Sequence, residues 1–222
     1  MIDLHTHTLF SDGELVPAEL TRRAAVIGYR AMAITDHCDF SNMDWIIPRL
    51  VRVADDLGEA WGLTVLPGVE LTHLPPATIA AGASEARRLG ARVVVCHGET
   101  IAEPVAAGTN RAALAADIDI LSHPGLLTEE EARLAAKRGI CLEITTRKGH
   151  SLTNGHVARL ALAYGANLVV NTDSHAPGDL VSLELARKIA LGAGLSEADF
   201  EQARRNSGAL VEKAGGKSGP RP

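Results

Sequence analysis

Aromatic residues are scarce in this 222-residue chain: Phe, Trp and Tyr together make up 3% of it. Their scarcity weakens any role that stacks nucleobases on rings. Cysteine is scarce too, and Cys38, Cys96 and Cys141 show no CxxC spacing, so neither a disulfide framework nor a thiolate metal site is expected. Cys96 and Cys141 lie in apolar runs and read as small core residues. Positive charge is not in excess, the formal net charge being −5, which removes the usual basic footprint of a nucleic-acid binder. No apolar run approaches the roughly 20 residues that cross a bilayer. Met1-Ile2-Asp3 leads straight into polar, His-rich sequence rather than into a secretory leader. A protein without a membrane partner, located in the cytoplasm, is the expectation. A Walker-type phosphate loop is missing as well, which argues against phosphate transfer from a nucleoside triphosphate.

Hydrophobic residues make up 46% of the chain and charged residues 22%, the balance of a globular protein with one well-buried core. Short apolar runs alternate with longer helical patterns. The pattern predicts strands over 2–5, 31–36, 63–70, 91–97, 118–123, 140–145 and 167–173. Helices are predicted over 17–27, 44–60, 76–89, 109–116, 128–137, 153–163, 179–191 and 196–213. Pro17 suits a first helical turn, Thr128-Glu129-Glu130-Glu131 reads as a capping box, and Asn154 is a candidate cap. Gly28, Gly90, Gly139 and Gly165 each close a helix before the next strand. Seven strand–helix repeats argue for an α/β fold with a parallel sheet, one domain over 1–213. The Gly- and Pro-rich tail 214–222 is expected to be disordered. Periodicity alone leaves a closed barrel and an open doubly wound sheet equally possible.

The nine histidines favour the barrel. His5, His37, His97 and His123 end the first, second, fourth and fifth predicted strands. His7 and Asp12 follow the first strand, Glu70 ends the third, and Asp173 and His175 end the seventh. Singly, each has an ordinary reading as a satisfied polar residue or as turn chemistry. In a parallel barrel, however, all these strand ends share one face, where the catalytic groups of barrel enzymes gather. The i, i+2 spacing of His5 and His7, repeated in Asp173 and His175, puts both members of each pair on one side of a strand. Nine nitrogen and oxygen donors exceed what one ion of four to six ligands can use, so two or three divalent ions are implied. Without thiolates, zinc, manganese and iron all suit the donor set.

These motifs resemble the PHP (polymerase and histidinol phosphatase) family. The resemblance rests on Asp3-Leu-His5-Thr-His7 with Ser11-Asp12-Gly13, Thr35-Asp36-His37, Gly68-Val69-Glu70, Cys96-His97-Gly98, Ser122-His123-Pro124 and Asn171-Thr-Asp173-Ser-His175. It implies a distorted seven-stranded, TIM-like (β/α)7 barrel and a trinuclear metal centre. It further implies one ion on His5, His7 and Asp173, with Glu70 bridging to a second on His97 and His123, and a third on Asp12, His37 and His175. Some members carry His where this chain has Asp12, which implies a more weakly held third ion. Asp36 is expected to orient a ligand. Glu70, Asp173 and His175 are the expected catalytic residues.

The implied activity is hydrolysis of a phosphate ester, with a small phosphorylated metabolite of the histidinol-phosphate kind as substrate. Three divalent ions against Asp12, Glu70 and Asp173 leave a centre of about +3, suited to a phosphate dianion. Coordination lowers the pKa of water to about 7, so a metal-bound hydroxide is the expected nucleophile. The loop after strand six carries Arg147, Lys148 and His150, and with Glu143 these are the candidate substrate-binding residues, Glu143 serving either to meet a cationic substrate group or to support a metal ligand from behind. His73 is an even choice between pocket wall and surface, and His156 reads as structural. The alternatives are a nucleotide phosphatase or phosphodiesterase, or a non-catalytic, regulatory metal-binding module.

Overall fold

The computed structural model describes residues 1–215. Of the tail expected to be disordered, only Ala214 and Gly215 are among these residues, and 216–222 lie outside them. The strands are β1 (Ile2–Asp3), β2 (Ala31–Ile34), β3 (His37–Cys38), β4 (Thr64–Leu71), β5 (Val93–His97), β6 (Ile120–Ser122), β7 (Cys141–Thr145) and β8 (Leu168–Asn171). The helices are α1 (Pro17–Val26), α2 (Met43–Trp61), α3 (Ile79–Leu89), α4 (Thr109–Ala115), α5 (Glu129–Arg138), α6 (Asn154–Tyr164), α7 (Leu183–Gly192) and α8 (Glu197–Lys213). Parallel pairing runs β1-β2-β4-β5-β6-β7-β8, and β3 also pairs with β4. The result is a single α/β domain with seven staves in a nearly closed barrel.

The second stave differs from the expected strand 31–36. It breaks at Thr35 and Asp36 and resumes as β3, in the same register against β4: Ile34 faces Pro67 and His37 faces Glu70. At the break, the polar groups turn to the segment after β1. The Thr35 amide donates to the Thr6 carbonyl (2.8 Å), and the Thr6 amide donates to the Thr35 hydroxyl (3.1 Å).

Closure between β8 and β1 uses side chains in place of a full ladder. The amide of Leu4 donates to Asn171 Oδ1 (2.9 Å), and that of Thr172 donates to Asp3 Oδ1 (3.1 Å). Above them the backbone takes over, with Asp173 N–H to the His5 carbonyl (2.9 Å) and His7 N–H to the Ser174 carbonyl (2.8 Å). Short polar side chains thus satisfy buried backbone groups where the strands diverge.

Alternation along the staves divides the barrel into two floors. Outward residues such as Val65, Val69, Val94, Leu121, Leu142 and Ile144 pack under the helices. Inward residues Ala31, Ala33, Leu66, Val93, Val95, Ile120, Cys141 and Val169 form a separate apolar plug, joined by Val211 of α8. Further along the same inward rows, toward the C-terminal strand ends, stand Glu70, His97, Ser122, Glu143 and Asn171, all buried. Between Leu66 and Glu70, Gly68 leaves no room for a side chain, since a Cβ there would stand 2.7 Å from Thr35 Cγ2 and 2.9 Å from the Val93 carbonyl oxygen.

The helices follow their sequence signals closely. In α2, Met43, Ile46, Ile47, Leu50 and Ala54 recur on one face and are buried, each large one contributing roughly 1.5–3 kcal/mol. Thr128 and Glu131 form the expected capping box on α5, and Gly139 closes that helix in the left-handed conformation. Two expectations need correction. Asn154 does not cap α6; its amide accepts from Thr145 N–H (3.2 Å) and donates to the Thr145 carbonyl (2.8 Å), tying the helix to the end of β7. The helix expected from Asp179 starts at Leu183, because Pro177–Asp179 forms a separate 3-10 turn and Ser182 supplies the cap. Asp179 instead accepts from the amides of His175 (3.0 Å) and Ala176 (2.9 Å), fixing the loop that carries His175.

Candidate metal centre

All nine strand-end donors named from the sequence converge on the polar floor. Glu70 is the hub. Its Oε1 lies 3.2 Å from His5 Nε2 and 3.5 Å from His123 Nε2, while Oε2 lies 2.8 Å from His37 Nδ1 and 3.6 Å from His7 Nε2. Asp173 is a second hub: Oδ1 is 3.2 Å from His7 Nε2 and 3.6 Å from His5 Nε2, and Oδ2 is 3.6 Å from His123 Nε2. On the solvent side, Asp12 Oδ1 lies 3.1 Å from His175 Nε2 and 3.5 Å from His37 Nε2. His97, at the end of β5, stands edge-on to His123 with ring centroids 4.5 Å apart.

Hydrogen bonds behind these rings determine which nitrogen faces inward. His5 Nδ1 donates to Glu143 Oε1 (2.9 Å), His97 Nδ1 to the Gly98 carbonyl (3.1 Å), and His175 Nδ1 to the Asp173 carbonyl (3.0 Å). Each of the three therefore directs its Nε2 at the centre. Glu143 is fully buried, and besides His5 it accepts from the His123 amide (3.1 Å) and the Asn171 side chain (3.0 Å). With its oxygens occupied by protein donors, it orients His5 and His123 rather than meeting a substrate. Asp36 accepts from the Thr8 amide and hydroxyl (2.7 and 2.8 Å) and from the Ser11 hydroxyl (2.8 Å), which shapes the loop bearing Asp12.

The cluster's electrostatics are unresolved by protein groups alone. Among the described residues, six buried side-chain atoms have no hydrogen-bond partner: His5 Nε2, His7 Nδ1 and Nε2, Glu70 Oε2, His123 Nδ1 and Asp173 Oδ1. All six belong to this cluster, whereas buried polar atoms are nearly always paired. Burial, and then the neighbouring histidines, hold His7 well below the ordinary imidazole range, so it is a neutral base. Burial and His97 do the same to His123. Burial also opposes charging His5, but Glu70, Glu143 and Asp173 outweigh it and push His5 well up. Burial raises Asp173 to about 7 despite His5, with Glu70 adding to the rise. Unpaired lone pairs beside buried carboxylates fit divalent cations. The donor atoms group accordingly, within 4.8 Å of one another: His7, Asp12, His37 and His175; His5, His7 and Glu70; His5, His123 and Asp173; Glu70, His97 and His123.

The candidate substrate residues lie at different depths. Arg147 is half-buried, with NH1 donating to the Asp173 carbonyl (3.1 Å) and Nε 3.6 Å from Asp173 Oδ2. Lys148 is exposed. His150 stacks on His123 at 4.3 Å and pairs through Nδ1 with the Thr100 hydroxyl (2.7 Å). His156 donates to the Leu127 carbonyl (2.7 Å), away from the strand-end cluster. Sequence reasoning missed Ser122, whose hydroxyl donates to Glu70 Oε1 (2.7 Å), and Glu103, which reaches His97. Ser122 carried a signal, being two residues from Ile120 on an inward row; Glu103, in an irregular loop, carried none.

Residues 3–89 match the PHP domain family. An uncharacterized protein of Methanocaldococcus jannaschii is 50% identical over 201 residues, covering 90% of this chain and 92% of that protein. The fold is similar to a chain in the structure of archaeal ribonuclease P with mature tRNA (TM-score 0.69, 18% identity, 96% of this chain and 92% of that one). It is also similar to histidinol phosphate phosphatase from Lactococcus lactis, solved with zinc, L-histidinol and phosphate (TM-score 0.60, 18% identity, 88% and 94%). The chain belongs to the PHP family, a family of metal-dependent phosphoesterases. No helix among the described residues is long and apolar enough to cross a membrane.

Proposed function

We propose that this protein is a phosphomonoesterase that hydrolyses a small phosphorylated metabolite at a centre of up to three divalent ions. The observation that carries this reading is the set of six buried nitrogen and oxygen atoms of the strand-end cluster that have no hydrogen-bond partner. His5, His7 and Asp173 would hold one ion, Glu70 would serve it and a second on His97 and His123, and Asp12, His37 and His175 would hold a third. Zinc, manganese and iron suit this donor set. When bound, such ions supply an activated water as nucleophile and Lewis-acid stabilisation of the phosphoryl oxygens.

The chain's own residues prepare this chemistry. Glu143 locks His5 and the His123 backbone, so that neither needs to reorganise as substrate enters. Arg147 sits beside Asp173 with part of its guanidinium open, and its planar fork suits two phosphoryl oxygens. His150 and Thr100 form the wall next to His123. The histidinol phosphate phosphatase of similar fold supports a small phosphate monoester as the substrate class.

The test is phosphate release from an aryl phosphate by metal-supplemented protein, followed by a panel of phosphorylated metabolites. Elemental analysis of the same preparation should give more than one transition-metal ion per chain. A metal-replete protein with no turnover on any monoester would remove the phosphatase reading, and at most one ion would remove the multinuclear one.

Arg147→Ala should raise KM by roughly 10-fold or somewhat more, the equivalent of a charge-assisted contact of about 1.5–3 kcal/mol discounted for solvent access. Because Arg147 also bonds the Asp173 backbone, kcat should fall with it while metal content stays intact. Lys148→Ala should be milder, since that side chain is exposed. Unchanged kinetics for Arg147→Ala would return this loop to an ordinary basic surface.

A further inference from the structure

Among the described residues, and apart from the nine donors and the support Glu143 behind His5, one further carboxylate reaches the centre. Glu103 lies in the loop between β5 and α4, and its Oε2 stands 3.1 Å from His97 Nε2. That spacing matches those inside the cluster, where Glu70 lies 3.2 Å from His5 and Asp173 lies 3.2 Å from His7. Metal–ligand bonds of about 2.0–2.2 Å put adjacent donors of one ion roughly 3 Å apart, so the pair is spaced as neighbouring ligands are. Glu103, His97 and His73 also form a donor group of their own, within 4.8 Å of one another.

His97 decides how this group relates to the one formed by Glu70, His97 and His123. Its Nδ1 is committed to the Gly98 carbonyl, leaving one nitrogen lone pair. One lone pair serves one ion, so the two groups are the inner and outer halves of a single site. We propose that Glu103 is a further metal-ligating residue, closing the outward side of the site made by Glu70, His97 and His123. This rests on the metal centre proposed above and adds a donor to it.

The loop holds Glu103 in place from several directions. Glu99 and Asn110 exchange hydrogen bonds at its base (2.9 Å each), and Thr100 pairs with His150. Around the carboxylate, His150 Nε2 stands 3.4 Å from Oε1, and His73 Nε2 stands 3.5 Å from Oε2. His73 has a positive φ of 52°, and among the described residues the other non-glycine positions with positive φ are His123 and Asp173, both in the centre. Backbone strain of this kind persists where a site over-determines it. Glu103 also lowers the charge of the loaded centre by one and occupies the face from which an anion would approach.

The experiment is calorimetric titration of Zn²⁺ into chelator-treated full-length protein, comparing wild type with Glu103→Gln, Glu103→Ala and His73→Ala. Glu103→Gln should weaken one binding step by at least about tenfold and leave the others unchanged; Glu103→Ala should weaken that step further. His73→Ala should change it by less than about threefold, as His73 is exposed and meets the carboxylate at 3.5 Å from the solvent side. Thermal unfolding of the metal-free variants should fall only slightly below wild type, because the contact of Glu103 with His97 is partly exposed and screened. Wild-type isotherms for both Glu103 variants, beside several ions bound by wild type, would overturn the assignment of Glu103 alone. A wild-type chain that binds no ion would overturn the metal centre and this assignment together.

Discussion

Glu70→Gln should reduce phosphate release by on the order of 10² or more and remove at least one ion per chain. Glu70 is fully buried and within 3.6 Å of ring nitrogens of His5, His7, His37 and His123, so its charge is shared across the donor groups. Gln keeps the shape and the acceptor for the Ser122 hydroxyl, but it removes the negative charge and turns an N–H₂ group toward nitrogen donors. The defect should therefore appear chiefly in metal content and turnover. Without ions, burial opposes the charge on Glu70, but His5, His97 and His37 outweigh it and hold Glu70 ionised, so the metal-free variant loses that attraction and should unfold somewhat earlier than metal-free wild type. Kinetics, elemental analysis and a thermal melt of chelated protein check this together. Near wild-type turnover with full metal would show that Glu70 is not the shared donor.

Glu143 should matter almost as much without touching an ion. Its carboxylate accepts from His5 Nδ1, the His123 amide and the Asn171 side chain, and all are buried. Glu143→Gln cannot accept from all three, since its amide nitrogen would face a donor. Metal affinity should fall by about 10–100-fold, the usual effect of losing a hydrogen bond behind a ligating histidine. Glu143→Ala leaves three buried donors without an acceptor and should also cost on the order of 3–5 kcal/mol of stability. Chemical denaturation of chelated protein reads the second effect, and competition with a coloured chelator reads the first. Wild-type values for both variants would show that His5 and His123 are held by packing alone.

Much of the barrel was legible because local and global signals agree along this chain. Apolar runs of strand length, Pro17 at a first turn and Gly139 after a last one are short-range features, and each element formed within a few residues of its expected span. The misreadings have two origins. Asn154 looked like a cap because capping is the local use of Asn, but the end of β7 lies close enough to take both ends of its amide. Asp179 looked like the start of a helix, yet the amide of His175 claims its carboxylate. At Asn154 a contact with another element displaced the local option, whereas at Asp179 one local arrangement, a turn closed on amides three and four residues back, displaced another.

By itself, the sequence determined that His, Asp and Glu residues stand at the C-terminal ends of six parallel strands, since alternation and strand length place them there whatever the closure. Tertiary structure alone decided which of them share an acceptor or a neighbour. Strands one and seven meet only when the barrel closes, and that seam brings Asp173 to His5 and His7 across more than 160 residues of chain. It also favours one of the two readings of Glu143, support behind a ligand over contact with substrate, because the inward row of β7 ends beneath the His5 ring. Glu103 became visible only as a distance to His97: an irregular loop has no period from which to infer the direction of a side chain.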